Sequence, residues 1–206
     1  MMVIGITGGS GAGKSVACKY LCARGGLVIN CDKVYASLVD TPSSLTKMLS
    51  KEFGPEILKA DGSLDRKTLS SIVFGSESKE PLKRLNAITH PAVIAEVKRL
   101  ITEGLKNNIP YFLVDAPQLF EAGADSICDC TVCVTADKEK RCERIVARDS
   151  ISNQSAMQRI SSQLSDDFFF SRCDYTILNN GTEDELAEKC FKLLDLLEIH
   201  DNGNDI

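Results

Sequence analysis

The sequence lacks long apolar runs: no window approaches the roughly 20 apolar residues that a membrane-spanning helix needs. An excess of positive charge is also missing, since 29 acidic against 24 basic residues leave a net charge of −5. This balance provides no general attraction to nucleic acid or to an anionic membrane. The sequence therefore predicts neither a membrane segment nor a nucleic-acid partner, and any anionic ligand needs a local cluster of basic residues.

Repeats, low-complexity tracts and targeting signals are absent as well. The first residues enter an apolar strand pattern directly, so we expect no signal peptide. The nine cysteines are odd in number and scattered through apolar stretches, which favours reduced, mostly buried thiols in a cytoplasmic protein. Cys128, Cys130 and Cys133 are spaced as C-x-C-x-x-C without a fourth ligand nearby, whereas structural zinc usually takes four. We interpret them as strand residues.

The most informative stretch that is present runs from Met2 to Ser15. It begins as a buried strand, continues as a glycine-rich turn and ends where a helical pattern starts near Lys14. Gly8, Gly13, Lys14 and Ser15 complete the phosphate-binding pattern G-x-x-x-x-G-K-[ST]. Glycines let backbone N–H groups surround a phosphate at the positive end of a helix, the lysine reaches the β- and γ-phosphates, and the serine hydroxyl can ligate magnesium. The stretch predicts a nucleoside triphosphate site.

Acidic residues follow two other predicted strands. The apolar run Leu27–Ile29 leads into Asp32, at the sheet edge where open parallel sheets bind their ligands. The alternative role for Asp32 is to cap a helix beginning at Lys33. Asp115 follows the strand Tyr111–Val114 and could approach a magnesium ion or its waters. Its alternative role is that of a turn-forming residue before a proline loop.

Residues 33–106 carry few strand patterns and several helical ones, so we expect a helical insertion between the second and third strands. Leu45–Phe53 is amphipathic, Asp61-Gly62 marks a turn, and Asp65 opens a further helix. His90-Pro91 places a proline where we expect another helix to begin, ahead of apolar residues at helical spacing.

A basic segment follows the predicted fourth strand, Thr131–Val134. Arg141, Arg144 and Arg148 recur at i, i+3 and i+7, so they share one face of a helix. Such a face is either simply solvated or, in a chain that binds polyphosphate, a clamp for the transferred phosphoryl group. The last strand is expected at Tyr175–Leu178, followed by an amphipathic helix and a frayed tail.

Taken in order, several short blocks resemble the dephospho-coenzyme A kinase family. The resemblance covers residues 2 to about 195. The phosphate loop alone is shared by many kinases and GTPases, whereas the other blocks in this order are more specific. These blocks are V-I-N-C-D ending at Asp32, D-G-S-L-D-R from Asp61, H-P at His90, D-A-P-Q-L-F-E from Asp115, R-x-x-x-R-D from Arg144, R-x-x-x-Q from Arg159 and D-Y-T-I-L-N-N-G from Asp174.

The resemblance implies an α/β, three-layer P-loop kinase fold. Its expected parts are a five-stranded parallel sheet, a helical substrate-binding insertion and a helical lid. The implied division assigns residues 1–32, 107–137 and 173–206 to the nucleotide-binding core, 33–106 to the coenzyme A-binding insertion and 138–172 to the lid.

The resemblance also implies a reaction, in which the γ-phosphoryl group of ATP passes to the ribose 3′-hydroxyl of dephospho-coenzyme A. ATP would be the co-substrate and Mg²⁺ the metal, and the products are coenzyme A and ADP, the last step of coenzyme A biosynthesis. The implied catalytic residues are Lys14, Asp32, Arg144 and Arg148. The phosphates would be held by Gly8, Ser10, Gly11, Ala12, Gly13, Lys14 and Ser15, with Ser15 and Asp115 as candidate magnesium ligands. The acceptor would be bound by Asp32, Leu64, Arg66, His90, Pro117 and Glu121.

The sequence departs from the family pattern at three places and leaves alternatives open. Asn30 replaces the usual first acid of an Asp-Ala-Asp block, Gln118 replaces a leucine, and Phe168–Phe170 stand where the lid usually carries a basic residue. The alternatives are another small kinase acting on a nucleotide or nucleoside, and a silent nucleotide-binding module. A GTPase would need a guanine-specifying Asn-Lys-x-Asp segment, which does not occur. Nothing in the sequence indicates an oligomeric state.

Overall fold

Five parallel strands form one sheet in the computed structural model, which describes residues 1–75 and 78–199. The spatial order is β2-β3-β1-β4-β5, and every neighbouring pair is parallel. The predicted five-stranded parallel sheet is therefore confirmed. The strands are β1 (Met2–Thr7), β2 (Leu27–Asn30), β3 (Tyr111–Asp115), β4 (Cys130–Thr135) and β5 (Tyr175–Leu178).

Helices connect the strands and cover both faces of the sheet. The predicted final tail, residues 200–206, lies outside the described residues. Thr182 caps the helix after β5 by accepting a hydrogen bond from the Glu185 N–H at 3.2 Å. The helices are α1 (Lys14–Leu21), α2 (Cys31–Val39), α3 (Ser44–Phe53), α4 (Arg66–Phe74), α5 (Glu80–Lys106), α6 (Lys138–Asp149), α7 (Asn153–Ser161), α8 (Asp166–Arg172) and α9 (Glu183–Leu196).

The three layers follow from the alternation of side chains along the central strands. Successive strand residues point to opposite faces, so Val3 and Ile4 of β1 enter different cores. Ile4 packs with α1 and α9, and Val3 packs with α2 and α5. Both residues are almost completely buried, at 0% and 3% exposure. The α/β three-layer class expected from the sequence is confirmed.

The helices between β2 and β3 share a hydrophobic core of their own. Leu64 lies inside it and is only 2% exposed. Ser43 caps α3 in a capping box with Thr46, and Asp65 caps α4 by accepting from the Lys67 and Thr68 N–H groups. The predicted amphipathic helix and the predicted helix start at Asp65 are both confirmed. The buried residues of this core are Val39, Leu45, Leu49, Phe53, Ile57, Leu64, Leu69 and Val73.

The expectation that a helix begins at His90-Pro91 is wrong. Helix α5 runs for 27 residues from Glu80 to Lys106 and contains Pro91 in its interior. Proline cannot donate to the carbonyl four residues back, which normally disfavours an interior position. The buried residues Thr89 and Val97 on either side hold the helix against the rest of the chain. Tertiary packing therefore overrides the local signal.

The nine cysteines are free thiols that are buried or half-buried, in agreement with the sequence interpretation. Burial raises the pKa of Cys18 and of Cys128 to about 12, which keeps both thiols protonated and unreactive near neutral pH. Cys130 and Cys133 belong to β4, whereas Cys128 lies before this strand, so its interpretation as a strand residue is wrong. Because Cys130 and Cys133 are three residues apart on a strand, they point to opposite faces of the sheet.

Candidate active site

The loop between β1 and α1 adopts a conformation that its glycines make possible. Gly11 and Gly13 have φ angles of 78° and 92°, in the left-handed region that other residues rarely adopt. Helix α1 then begins directly at Lys14, so the last N–H groups of the loop lie at the positive end of a helix dipole. The loop has the shape expected of a phosphate site.

Side chains from distant parts of the chain hold the carbonyl groups of this loop. Arg144 donates to the Gly11 carbonyl at 3.3 Å and to the Asn179 carbonyl at 3.0 Å. The Asn179 amide in turn donates to the Ala12 carbonyl at 2.9 Å. These bonds turn the loop carbonyls towards the protein. The backbone N–H groups of such a loop can then bind an anion, except those of Ser10 and Ala12, which donate to Gln163 Oε1 and to the Gly9 carbonyl.

Lys14 reaches across the sheet edge to Asp115 at the end of β3. Its Nζ donates to Asp115 Oδ1, and the Asn30 amide donates to Asp115 Oδ2 at 2.6 Å. The Asp115 side chain is 5% exposed and the Lys14 side chain is 14% exposed. The β2–β3 register pairs Asn30 with Asp115, which explains their proximity. A carboxylate buried to this degree needs such partners.

Asp115 is a predicted magnesium ligand, but both of its carboxylate oxygens accept hydrogen bonds from protein donors. In the arrangement described here, Asp115 orients Lys14. Asn30 is one of the residues that depart from the family pattern. Its amide can donate to Asp115, whereas an unprotonated acid at that position would place two carboxylates together.

Asp32 occupies the first turn of α2 and is not its cap. The cap is Asn30, whose side-chain oxygen accepts from the Lys33 N–H at 2.9 Å, and the helix begins at Cys31. The alternative in which Asp32 caps a helix from Lys33 is therefore wrong. Within residues 1–75 and 78–199, we find no donor hydrogen-bonded to the Asp32 carboxylate. Asp32 is exposed, and its carboxylate is available to a ligand.

Asp32 and Pro117 lie at the boundary between two cavities. One cavity, of about 510 Å³, is lined by the phosphate loop together with Arg144, Arg148 and Gln163. The other cavity, of about 410 Å³, lies between α2, α5 and the loop after β3. Asp32 and Pro117 line both. A cavity lined by glycines and basic side chains therefore meets, at a carboxylate, a cavity between helices.

The predicted acceptor residues divide into two groups. His90 and Pro117 line the 410 Å³ cavity, as does Asp32. Leu64, Arg66 and Glu121 line neither cavity. Leu64 is buried in the insertion core, Arg66 pairs with Asp40 at 2.7 Å on the surface, and Glu121 is exposed. The sequence pattern missed other lining residues, among them Tyr35, Asn86, Thr89, Val93, Ile94 and Gln118.

The two arginines predicted to contact phosphate differ in their surroundings. Arg144 is half-buried behind the loop, as described above. Arg148 lines the phosphate cavity but its guanidinium pairs with Asp149 at 2.7 Å. Its acidic partner is therefore the neighbouring residue of the same helix. The hydrogen bond from Arg148, reinforced by Arg159, holds the pKa of Asp149 at about 2.

The aromatic residues Phe168–Phe170 belong to α8, and Phe168 contacts the loop after β3. The rings of Phe120 and Phe168 meet edge to face at 5.8 Å. The Arg172 guanidinium lies 5.0 Å from the Phe120 ring centre and 5.7 Å from that of Phe168. These contacts connect α8 to the loop that carries Pro117, by dispersion and cation–π attraction.

His90 provides a pH-dependent contribution to stability. Burial lowers its pKa below the usual value, although a hydrogen bond with Gln118 and the charge of Glu121 oppose the shift. The unfolded chain therefore takes up a proton before the folded chain does. The stabilisation is present at neutral pH and is lost as the pH falls from about 6.5 towards the lower folded-state pKa.

We therefore expect His90→Gln to reduce the loss of stability between pH 7.5 and pH 5.5. The measurement is the free energy of urea unfolding at both values for the wild type and the variant. The only other histidine in the sequence is at position 200, so this interval reports mainly on His90. An equal loss in both proteins would contradict the assignment.

The fold and the site together define a P-loop kinase: a phosphate loop on a five-stranded parallel sheet, facing a second cavity suited to an acceptor. None of the helices in the described parts of the chain is long and apolar enough to cross a membrane. The sequence model of the dephospho-CoA kinase family matches residues 2–185.

Individual relatives agree with this match. The dephospho-CoA kinase of Fusobacterium nucleatum is 39% identical over 92% of this chain and 95% of its own. The solved structure of dephospho-CoA kinase from Campylobacter jejuni superposes with a TM-score of 0.69 at 26% identity, covering 95% of this chain and 96% of its own. A solved structure from Thermus thermophilus superposes with a TM-score of 0.77 at 31% identity, covering 97% of this chain and 98% of its own. This chain belongs to the dephospho-CoA kinase family, whose reaction is the ATP-dependent phosphorylation of dephospho-CoA.

Proposed function

We propose that this chain transfers the γ-phosphoryl group of ATP to the ribose 3′-hydroxyl of dephospho-CoA at the boundary between its two cavities. The phosphates of ATP lie in the 510 Å³ cavity against the loop that ends at Ser15. Dephospho-CoA lies in the 410 Å³ cavity, with its hydroxyl at Asp32. The observation that supports this arrangement most strongly is that Asp32 lines both cavities.

The proposed roles follow from the charge that develops during phosphoryl transfer. Such reactions depend on positioning and on neutralising charge on the phosphoryl oxygens. Lys14 supplies positive charge, and its hydrogen bond to Asp115 fixes the orientation of the side chain. Arg148 supplies further charge from the cavity wall. Asp32 accepts or orients the proton of the acceptor hydroxyl, so that the oxygen attacks the γ-phosphorus while ADP leaves.

Arg144 has a supporting role in this proposal. Its two guanidinium bonds go to carbonyls of the loop and of Asn179, so the side chain shapes the phosphate site from behind. One edge of Arg144 still lines the cavity. The same arrangement allows it to add positive potential without contacting a phosphate directly.

We propose Mg²⁺ as the accompanying metal, bound by Ser15. The hydroxyl of Ser15 is exposed at the start of α1 and lines the phosphate cavity. A hydroxyl together with phosphate oxygens and waters suits a small, hard cation. When bound, the ion would neutralise negative charge on the phosphates. Asp115 fits better as the partner of Lys14, for the reasons given above.

We also propose that the protein works in the cytoplasm. A reducing compartment is consistent with nine free thiols, and ATP is available there.

We further propose that residues 138–172 act as a lid. The α7–α8 segment, residues 150–172, borders the phosphate cavity through Gln163. Exclusion of water from the cavity would suppress hydrolysis of ATP.

The reaction is tested by coupled detection of ADP release with separate acceptors. Dephospho-CoA, AMP, CMP and uridine are offered side by side, with Mg²⁺ and without it. We expect ADP release to require dephospho-CoA and to stop when EDTA removes the metal. Faster release with a nucleotide acceptor would favour another small kinase, and no release with any acceptor would favour a silent binding module.

The acceptor cavity is tested independently by Val93→Phe. Val93 lines the 410 Å³ cavity from α5 and does not line the phosphate cavity. A larger side chain there occupies space that the acceptor needs. We expect the KM for dephospho-CoA to rise about tenfold, equivalent to about 1.4 kcal/mol of binding, with ATP affinity unchanged. Ala95→Phe, on the exposed side of the same helix, is the matched control, and a parallel loss of ATP affinity would contradict the assignment.

A further inference from the structure

Arg141 is a buried arginine whose place in the reaction is not assigned above. Its side chain is 3% exposed. Nε donates to the Ser10 carbonyl at 3.0 Å, Nη2 donates to Gln163 Oε1 at 3.1 Å, and Nη1 donates to Asp166 Oδ1 at 3.1 Å. One side chain of α6 therefore contacts both the phosphate loop and the α7–α8 segment.

Gln163 completes a closed set of bonds around Ser10. Its Oε1 accepts from the Ser10 N–H at 2.9 Å as well as from Arg141. The two backbone polar groups of Ser10 are thus bound by Arg141 and Gln163. The Ser10 N–H is therefore not directed at a phosphate in this arrangement, in contrast to the sequence expectation for that group.

The neighbouring glycines show how closely Arg141 packs against the loop. A Cβ atom added at Gly9 would collide with the Arg141 guanidinium, and one added at Gly11 would lie 2.5 Å from the Arg141 backbone carbonyl. Such close approach is possible only without side chains. A displacement of Arg141 towards the loop would therefore move the loop as well, because the two are already in close contact.

Asp166 is the acidic partner that the buried guanidinium requires. A buried charge is stable only when paired and hydrogen-bonded. Asp166 Oδ1 accepts from Arg141 and also from the Thr135 hydroxyl at 3.3 Å, at the end of β4. Asp166 itself lies on α8 and does not line the phosphate cavity.

We infer that Arg141 is a positioning residue that makes the phosphate-binding conformation of the loop depend on the α7–α8 segment, through Asp166 and Gln163. The inference rests on the proposed function, in which this loop receives ATP. Its consequence is that a change at Asp166, which has no place in the phosphate cavity, alters ATP affinity. Dephospho-CoA affinity is not affected, because the acceptor cavity has no part in this network.

The test compares Asp166→Ala, which removes the acceptor oxygen, with Asp166→Asn, which keeps an oxygen but removes the charge. Asp167→Ala is the matched control, because Asp167 is the other acid in the first turn of α8 and is exposed. Binding of a non-hydrolysable ATP analogue and of dephospho-CoA is measured by calorimetry, and thermal unfolding is recorded for each variant.

We expect the analogue to bind about fivefold more weakly to Asp166→Ala and about twofold more weakly to Asp166→Asn, since a hydrogen bond to a charged group is lost or weakened. Binding to Asp167→Ala and the affinity of every variant for dephospho-CoA should match the wild type. If both Asp166 variants bind the analogue as tightly as the wild type does, the inference is overturned. This holds even if their unfolding temperatures fall, because that pattern indicates a purely structural role. If Asp166→Ala fails to fold, the affinity of the isosteric Asp166→Asn for the analogue, compared with that of the wild type, tests the inference.

These outcomes are separate from those of the proposed reaction. Analogue binding needs no acceptor and no turnover. A wild-type protein that phosphorylates dephospho-CoA while both Asp166 variants bind the analogue normally overturns the inference alone. A wild type that transfers nothing to dephospho-CoA, but whose ATP affinity responds to Asp166, overturns the proposed reaction alone.

Discussion

Asp32→Asn is expected to lower turnover at least tenfold while leaving ATP binding intact, because loss of a positioned general base commonly costs from about 10² to 10⁴ in rate. The carboxylate of Asp32 borders both cavities, and no protein donor within the described ranges occupies it. Asparagine has nearly the same shape but cannot take up the hydroxyl proton. The measurement is the steady-state rate of ADP release with dephospho-CoA, beside calorimetric binding of an ATP analogue.

The control for this substitution is Asp184→Asn. Asp184 lies in the first turn of α9, as Asp32 lies in the first turn of α2, so both changes remove the same favourable interaction with a helix dipole. Asp184 is exposed and lines neither cavity. Its variant should keep full activity. Near-normal turnover of Asp32→Asn would show that the carboxylate has no role in proton transfer and would remove the main support for the proposed geometry.

Lys14→Met is expected to have the second large effect, and it should act on both activity and stability. Removing a preorganised charge from the transferred phosphoryl group typically costs about 10² to 10³ in rate. Breaking a buried ion pair by removing one partner costs about 3 to 5 kcal/mol, because the other charge stays buried. Here the remaining charge is Asp115, which would keep only the Asn30 amide as a partner.

A double variant separates the two effects. In Lys14→Met/Asp115→Asn the buried carboxylate is replaced by an amide, which can still hydrogen-bond to Asn30. We expect the free energy of urea unfolding to recover most of the loss, while the rate of transfer stays as low as in Lys14→Met. Recovery of activity together with stability would mean that Lys14 is needed for folding alone, contrary to the proposed role at the phosphates.

The site predictions that the sequence allows depend on short, contiguous patterns. The phosphate loop needs glycines and a lysine at fixed spacing, and each requirement is visible within eight residues. Asp32 could be found because parallel sheets bring strand ends to one edge, where ligands bind. His90 and Pro117 could be placed near the acceptor only through the family resemblance, and the 410 Å³ cavity now contains both.

Other residues of the site carry no local signal. Asn179 and Gln163 hold the phosphate loop from positions 167 and 153 residues away along the chain. In the sequence, Arg141 and Arg148 are equivalent members of one basic helix face. In the structure, Arg141 is buried and Arg148 is exposed. Leu64 and Arg66 lie in a family block whose role, in the described structure, is to build the insertion and not to line the cavity.

The amino-acid sequence by itself determined the class of chemistry and the kind of fold. Glycine spacing, strand patterns and a lysine at a helix start are local properties, because backbone conformation and hydrophobic periodicity are local. Only the tertiary structure decided which charges are paired, buried or free to meet a substrate. Those properties depend on desolvation and on partners distant in sequence: Asp115 became a buried support for Lys14, while Asp32 stayed open between two cavities.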